Sequence, residues 1–196
     1  MSELLERRAV VKELLRDRGA MVVVAGLGAS AWDITAAGDH ERSVPLWGAM
    51  GSSVMIGLGL ALAQPSVPIL VITGDGEMLM GIGSLATAMT RAPPNLHVVV
   101  LDNESYGETG GQPTHTALGV DLVKVASAMG IRRAASIASM AEVSSLRDDI
   151  HQCRGLGFSN IKIARGQPPV VLPPRDGATV TNRIRVSLLG PVALSA

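Results

Sequence analysis

Two short apolar runs set the frame of this chain: Ile69-Leu70-Val71-Ile72 and Leu96-His97-Val98-Val99-Val100-Leu101. Both are rich in β-branched residues and bounded by Pro, Gly, Asp or Asn, which predicts buried parallel strands. The stretch 79–91 between them is compatible with a helix, so the segment reads as one strand–helix–strand unit. Upstream, Leu4, Leu5, Val11, Leu14 and Leu15 recur near helical spacing among Glu, Arg and Lys, predicting an amphipathic helix over 3–18 with Gly19 as its stop. A strand over 21–25, a small-residue loop over 26–30 and an apolar helix over 52–63 follow. Further helices are expected over 121–129 and 140–153, with short strands over 131–134 and 160–164. This alternation predicts an α/β fold, a doubly wound and mostly parallel sheet sandwiched by helices, over residues 1–165. From residue 166 onward Pro168, Pro169, Pro173, Pro174 and Pro191 punctuate a stretch read as having no helical period. The expectation for 166–196 is a Pro-rich tail, either disordered or laid as an arm along a neighbouring subunit through Val170, Val171, Leu172, Ile184, Val186, Leu188 and Leu189.

Composition narrows the functional classes. The chain has 196 residues, enough for one good core, and aromatic residues make up only 2%, so that core must be aliphatic. The 17 basic and 17 acidic residues cancel and form no basic block, which argues against nucleic acid or an anionic membrane surface. Residues 43–74 carry no charge, but Pro45, Gln64, Pro65 and Pro68 interrupt them, and the apolar segment 54–63 is too short to span a bilayer. Cys153 is the only cysteine, so no internal disulfide can form. That cysteine usage, with no secretory leader read at the start, predicts a cytoplasmic protein.

The chemistry concentrates at the ends of the two apolar runs. Gly74-Asp75-Gly76 follows the first, Asp102-Asn103 ends the second, and 25 residues separate Gly76 from that pair. Parallel strands joined by a helix end on the same edge, so Asp75 and Asn103 are expected side by side where open α/β sheets bind ligands. A carboxylate and an amide oxygen are hard ligands for Mg²⁺, a backbone carbonyl beyond Asn103 offers a third, and diphosphate oxygens with water complete an octahedron. The glycines around Asp75 allow close backbone approach, and the N–H groups of the following helix face the anion. Either half alone is an ordinary turn; the pair at this spacing carries the reading. Gly26-Leu27-Gly28 lacks the third glycine of a dinucleotide fingerprint, Asp33 following instead. No zinc-like Cys/His spacing, Gly-x-Ser-x-Gly elbow or Walker loop is present.

These motifs resemble the cofactor-binding motif of thiamine diphosphate enzymes. More narrowly, Gly48-Ala49-Met50-Gly51-Ser52-Ser53, Gly57 to Ala63, Gly74-Asp75-Gly76, Leu101-Asp102-Asn103 and Thr109-Gly110-Gly111-Gln112-Pro113-Thr114 resemble the sulfopyruvate and phosphonopyruvate decarboxylases, in order from about Val22 to Arg165. The resemblance implies thiamine diphosphate and Mg²⁺ as cofactors, with Asp75, Asn103 and the carbonyl of Ser105 as metal ligands. Gly74, Gly76, Glu77 and Tyr106 would join them in holding the cofactor. Met50 would support its bend, and Gly48 and Met50 would meet its aminopyrimidine through their backbones. Glu77 stands where relatives carry a small polar residue. A carboxylate beside a diphosphate is repelled, so Glu77 is expected to offer only its N–H and turn its side chain outward. Asp102 stands where many relatives have the first Asn of a pair. His115 is the catalytic candidate for contacting substrate or relaying a proton.

Enzymes of this kind bind the cofactor between two different α/β domains, and the other domain supplies the glutamate that activates the aminopyrimidine. This chain resembles only the diphosphate-binding domain. The implied function is the cofactor-binding, beta-like subunit of a non-oxidative 2-oxoacid decarboxylase, working with a separate pyrimidine-binding, alpha-like subunit as a homodimer or hetero-oligomer. Two alternatives stay open here: a subunit of an acetolactate synthase-like or other thiamine enzyme, and a non-catalytic binding module.

Overall fold

The computed structural model describes residues 4–194. Six strands form one parallel sheet in the order β2-β1-β3-β4-β8-β7, where β1 is Val22–Ala25, β2 Ser43–Pro45, β3 Ile69–Gly74, β4 Leu96–Asp102, β7 Arg133–Ile137 and β8 Gly157–Lys162. A separate small hairpin pairs β5 (Ser105–Tyr106) with β6 (Gln112–Pro113). The central strands are buried on both faces, as their β-branched composition requires. Side chains alternate across the sheet. Val22, Val24, Ile69, Val71, Val98 and Val100 enter one core, and Val23, Leu70, Ile72, Val99 and Leu101 the other.

Helices seal both cores. α1 (Arg7–Leu14), α2 (Ala29–Ala36) and α7 (Met140–His151) cover one face through Val10, Leu14, Ile34, Val143 and Leu146. α3 (Ser53–Ala63), α5 (Ser84–Arg91) and α6 (Leu122–Ala128) cover the other through Leu58, Ala61, Leu85, Ala88 and Leu122. The winding leaves β1 toward β2 with α2 on one face, then returns past β1 to β3 with α3 on the other. The direction of strand addition therefore reverses between β1 and β3, and the crevice above these strands is where such sheets take ligands. The doubly wound expectation holds.

Three local expectations change. The helix expected over 79–91 is two helices, α4 (Asp75–Met80) and α5, parted at Gly81-Ile82-Gly83. The break follows from packing, because a Cβ on Gly81 would stand 2.2 Å from the carbonyl oxygen of Gly51. The loop expected over 26–30 already contains the start of α2, and the short edge strand β2 was not foreseen.

The third change lies beyond residue 166, where no helical period was expected. Gly177–Leu189 is a helix, α8, folded onto the chain's own body. Asp176 caps its N-terminus by accepting from the Ala178 N–H, and Val180 and Ile184, one turn apart, are buried. Arg183 pairs with Asp39, and Arg42 donates to Ser187 Oγ. The preceding segment is tied down by Arg8 to the Pro169 carbonyl and by Trp47 Nε1 to the Pro174 carbonyl.

Candidate functional site

The register places Gly74 opposite Leu101, so Asp75 stands one step beyond the end of β3 and Asn103 one step beyond the end of β4. Both border a cavity of about 510 Å³ at the carboxyl edge, together with Leu27, Ser30, Met50 and Glu108. Gly74, Gly76, Glu77, Ser105 and Tyr106 border it too, so eight of the cofactor-site residues expected from sequence meet in one place. Gly48 does not line this cavity; it is exposed on the loop two residues before Met50. His115 also lies outside it, in an adjoining open cavity bounded by Met50, Gly76, Leu79, Met80, Tyr106 and Val120.

Two helices aim their N-termini at the cavity that holds Asp75 and Asn103. α2 begins after Gly28 and α4 after Gly74, and neither has a side-chain cap. Their first N–H groups are therefore unclaimed by side chains and suit an anion. Gly28 has a φ of 71°, a conformation glycine adopts without steric cost. Gly76 is required by a close approach, because a Cβ there would fall 2.4 Å from the ring of Tyr106.

The donor set for a cation is equally specific. Ser105 opposes Pro113 in the hairpin, and the Thr114 N–H bonds the Glu104 carbonyl, which makes Ser105–Pro113 a non-hydrogen-bonded pair. The N–H and carbonyl of Ser105 therefore point away from β6. That N–H donates to Asn103 Oδ1 at 3.0 Å, so the Ser105 carbonyl opens on the side of the Asn103 amide. Asn103 Oδ1 keeps a second lone pair. One carboxylate, one amide oxygen and one carbonyl can face a hard cation only if a ligand's oxygens complete the shell. No group of three or more His, Cys, Asp or Glu arranged for metal binding exists among the described residues. The residues present fit a cation-bridged diphosphate.

Around Asp75 lies a buried polar network that the sequence reading missed. Asp75 is 1% exposed; burial raises its carboxyl above the usual range, while Thr114 pulls the other way. Thr114 Oγ1 donates to Asp75 Oδ2, and Thr116 Oγ1 stands 3.1 Å from that oxygen and 2.8 Å from Asp102 Oδ1. Asp102 is no cavity residue; it is held by Asn160 Nδ2 at 3.0 Å and Lys162 Nζ at 2.8 Å. Burial opposes the charge on Lys162, but Asp102 and Glu104 outweigh it and raise its ammonium above the ordinary value. The available signal was period two: Thr114 and Thr116 after a hairpin, and Asn160 and Lys162 at the end of a strand.

Glu77 overturns its expectation. Its side chain turns inward, 4% exposed, and a Cβ on Gly26 would stand 1.8 Å from its Oε2. Thr73, Ser53 and the N–H groups of Gly51 and Leu27 surround the carboxyl and favour its charge, but burial outweighs them and raises its pKa. The outward turn rested on repulsion between a carboxylate and a diphosphate. Gly26 instead leaves room for a long side chain to fold under the end of β1.

The profile of the family described as "Thiamine pyrophosphate enzyme, C-terminal TPP binding domain" matches residues 31–161. The chain is 41% identical over 135 residues to phosphonopyruvate decarboxylase of Streptomyces viridochromogenes, a match covering 69% of this chain and 33% of that protein. It is 33% identical over 164 residues to sulfopyruvate decarboxylase subunit beta of Methanococcus maripaludis, covering 84% of this chain and 85% of that subunit. In three dimensions it superposes on benzoylformate decarboxylase of Polynucleobacter necessarius with a TM-score of 0.68 at 18% identity, over 85% of this chain and 34% of that one. No helix among the described residues is long and apolar enough to cross a membrane.

Proposed function

The chain belongs to the thiamine pyrophosphate enzymes, matching their C-terminal cofactor-binding domain, and on that premise we propose that it is the thiamine diphosphate- and Mg²⁺-binding subunit of a non-oxidative 2-oxoacid decarboxylase. The substrate class is a short acidic 2-oxoacid of the sulfopyruvate or phosphonopyruvate kind, after the relatives it resembles. The observation that carries the reading is the meeting of Asp75 and Asn103 at the tips of β3 and β4, in one cavity onto which α2 and α4 direct uncapped N–H groups.

Charge explains why a cation is part of the site. Asp75, Glu77 and Glu108 border the cavity against a single Arg7, whose Nε is already engaged by Asp33. A bare diphosphate would meet net repulsion there, and a divalent ion between it and Asp75 removes that cost. Asp75, Asn103 and the Ser105 carbonyl would hold the ion, while the first N–H groups of α2 and α4 would hold phosphate oxygens. Once bound, thiamine diphosphate supplies the electron sink for the pair left when CO₂ departs from a 2-oxoacid. Met50 stands between the two cavities and would support the organic part of the cofactor. His115, on the far side of Met50, would meet the substrate.

A separate pyrimidine-binding subunit completes this reading. Met50, Met55, Leu62, Met80, Leu118 and Val120 are all at least 36% exposed. Met50, Met80 and Val120 share the open cavity that holds His115, an apolar surface suited to a partner. The M. maripaludis relative is itself named as subunit beta. The first test is thermal stabilisation of the full chain. Thiamine diphosphate with Mg²⁺ should raise the melting temperature while neither does so alone; an equal rise with Mg²⁺ omitted would overturn the metal assignment. The second is CO₂ release from sulfopyruvate and phosphonopyruvate, which should require an added pyrimidine-binding subunit. Full turnover by this chain alone would overturn the two-subunit reading.

A further inference from the structure

The hydroxyls of Thr114 and Thr116 are the side-chain groups that hydrogen-bond Asp75, the carboxylate proposed to face the cation. Both contacts fall on one oxygen, Oδ2. Thr114 is fully buried and Thr116 is 7% exposed, so water does not compete for these bonds. Asp75 is the first residue of α4 and, left to itself, can fold its carboxylate back onto the N–H groups of its own helix terminus. The two hydroxyls hold its Oδ2 against that freedom.

The supply of protons fixes their separate roles. Thr114 gives its single hydroxyl proton to Asp75. Thr116 also has one proton, with three acceptors in reach: Asp75 Oδ2 at 3.1 Å, Asp102 Oδ1 at 2.8 Å and Thr114 Oγ1 at 2.8 Å. Thr116 thus stands between two buried carboxylates, and Asn160 and Lys162 fix the second one from behind. The β5–β6 hairpin carries both threonines to this place, since pairing Ser105 with Pro113 returns the chain to Asp75 directly after the turn.

We infer that Thr114 and Thr116 are positioning residues: by pinning Asp75 Oδ2 they present the other carboxylate oxygen to the cation, so the 109–116 loop sets the affinity for Mg²⁺. This deepens the cofactor-binding reading and rests on it. Orienting partners of metal ligands typically contribute a factor of 10 to 100 in affinity.

The test is a Mg²⁺ titration of the full chain at millimolar thiamine diphosphate, read as the half-saturating Mg²⁺ concentration for the rise in melting temperature. Thr114→Val should raise that concentration by roughly 10- to 100-fold, and Thr114→Ser should restore it. Thr116→Val should raise it less, because its proton is shared with Asp102. A wild type that responds and a Thr114→Val protein with the same half-saturation would overturn the inference and leave the cofactor site standing. So would a variant that lowers only the ligand-free melting temperature, the mark of a purely structural threonine. Should Thr114→Val not fold, an unchanged half-saturation in Thr116→Val overturns the inference. A wild type with no Mg²⁺-dependent response overturns the cofactor reading and this inference with it.

Discussion

β4 has a buried polar group at each end, and the two ends solve the same problem in opposite ways. At its start, His97 is buried, bonded to Ser159 at 3.0 Å, and kept neutral by burial that pulls its pKa to about 4. Its ring presses against the backbone of Gly157, where a Cβ would fall 2.1 Å away. At its end, Asp102 belongs to a charged network of Thr116, Asn160 and Lys162 that continues through Asp75 to an open cavity. The first arrangement is neutral and pairs one side chain with another, at the margin of a separate cavity that Arg133 and Asp149 also line. The second keeps buried charge at the edge of the crevice. The His97 end keeps its polarity within the sheet, whereas the Asp102 end passes it through Thr116 and Asp75 to the cavity proposed for the ligand.

Four measurements break or sharpen this contrast. The largest effect is expected at the His97 end. Unfolding releases His97 to take up a proton near its ordinary value of 6.5, whereas the folded ring resists until about pH 4. Stability is therefore full above pH 6.5 and falls as pH drops toward 4, by roughly 3 kcal/mol in all. Denaturant titrations across that range check it, and His97→Gln should flatten the profile. Next comes the open end. Asp75→Ala should abolish the stabilisation by thiamine diphosphate with Mg²⁺, about 2.7 kcal/mol at ligand a hundredfold above Kd; retention of the full shift would remove Asp75 from the site. Third, Glu77→Gln should stabilise the ligand-free chain at neutral pH by about 1 kcal/mol, because it removes a charge that burial disfavours. A lower melting temperature would mean that the groups around the carboxyl outweigh its burial. Smallest is Asp176→Ala, which strips the cap of α8 and should show only as faster amide exchange over 177–180.

How much of this was legible depended on which interactions decide each part. β3 and β4 were readable because strands buried on both faces must be apolar along their whole length. Right-handed crossover then places Asp75 and Asn103 together from connectivity alone. The break at Gly81 was not readable, since it is imposed by the carbonyl of Gly51, thirty residues away. α8 was hidden by the prolines around it, although Val180, Ile184 and Leu188 keep a four-residue spacing and Asp176 stands at the cap. Glu77 was misread because repulsion from a phosphate was weighed without the hollow that Gly26 leaves beneath β1. Thr114 and Thr116 offer only their period-two spacing as a signal, and its meaning comes from the hairpin that returns them to Asp75.

β2, only three residues long, is the sheet's outermost strand on one side, and α8 lies against it. An uncovered strand margin invites pairing with another molecule. α8 thus acts as a guard rail for that margin, and clipping it should first show itself as self-association of the chain, with the crevice above β1 and β3 still formed.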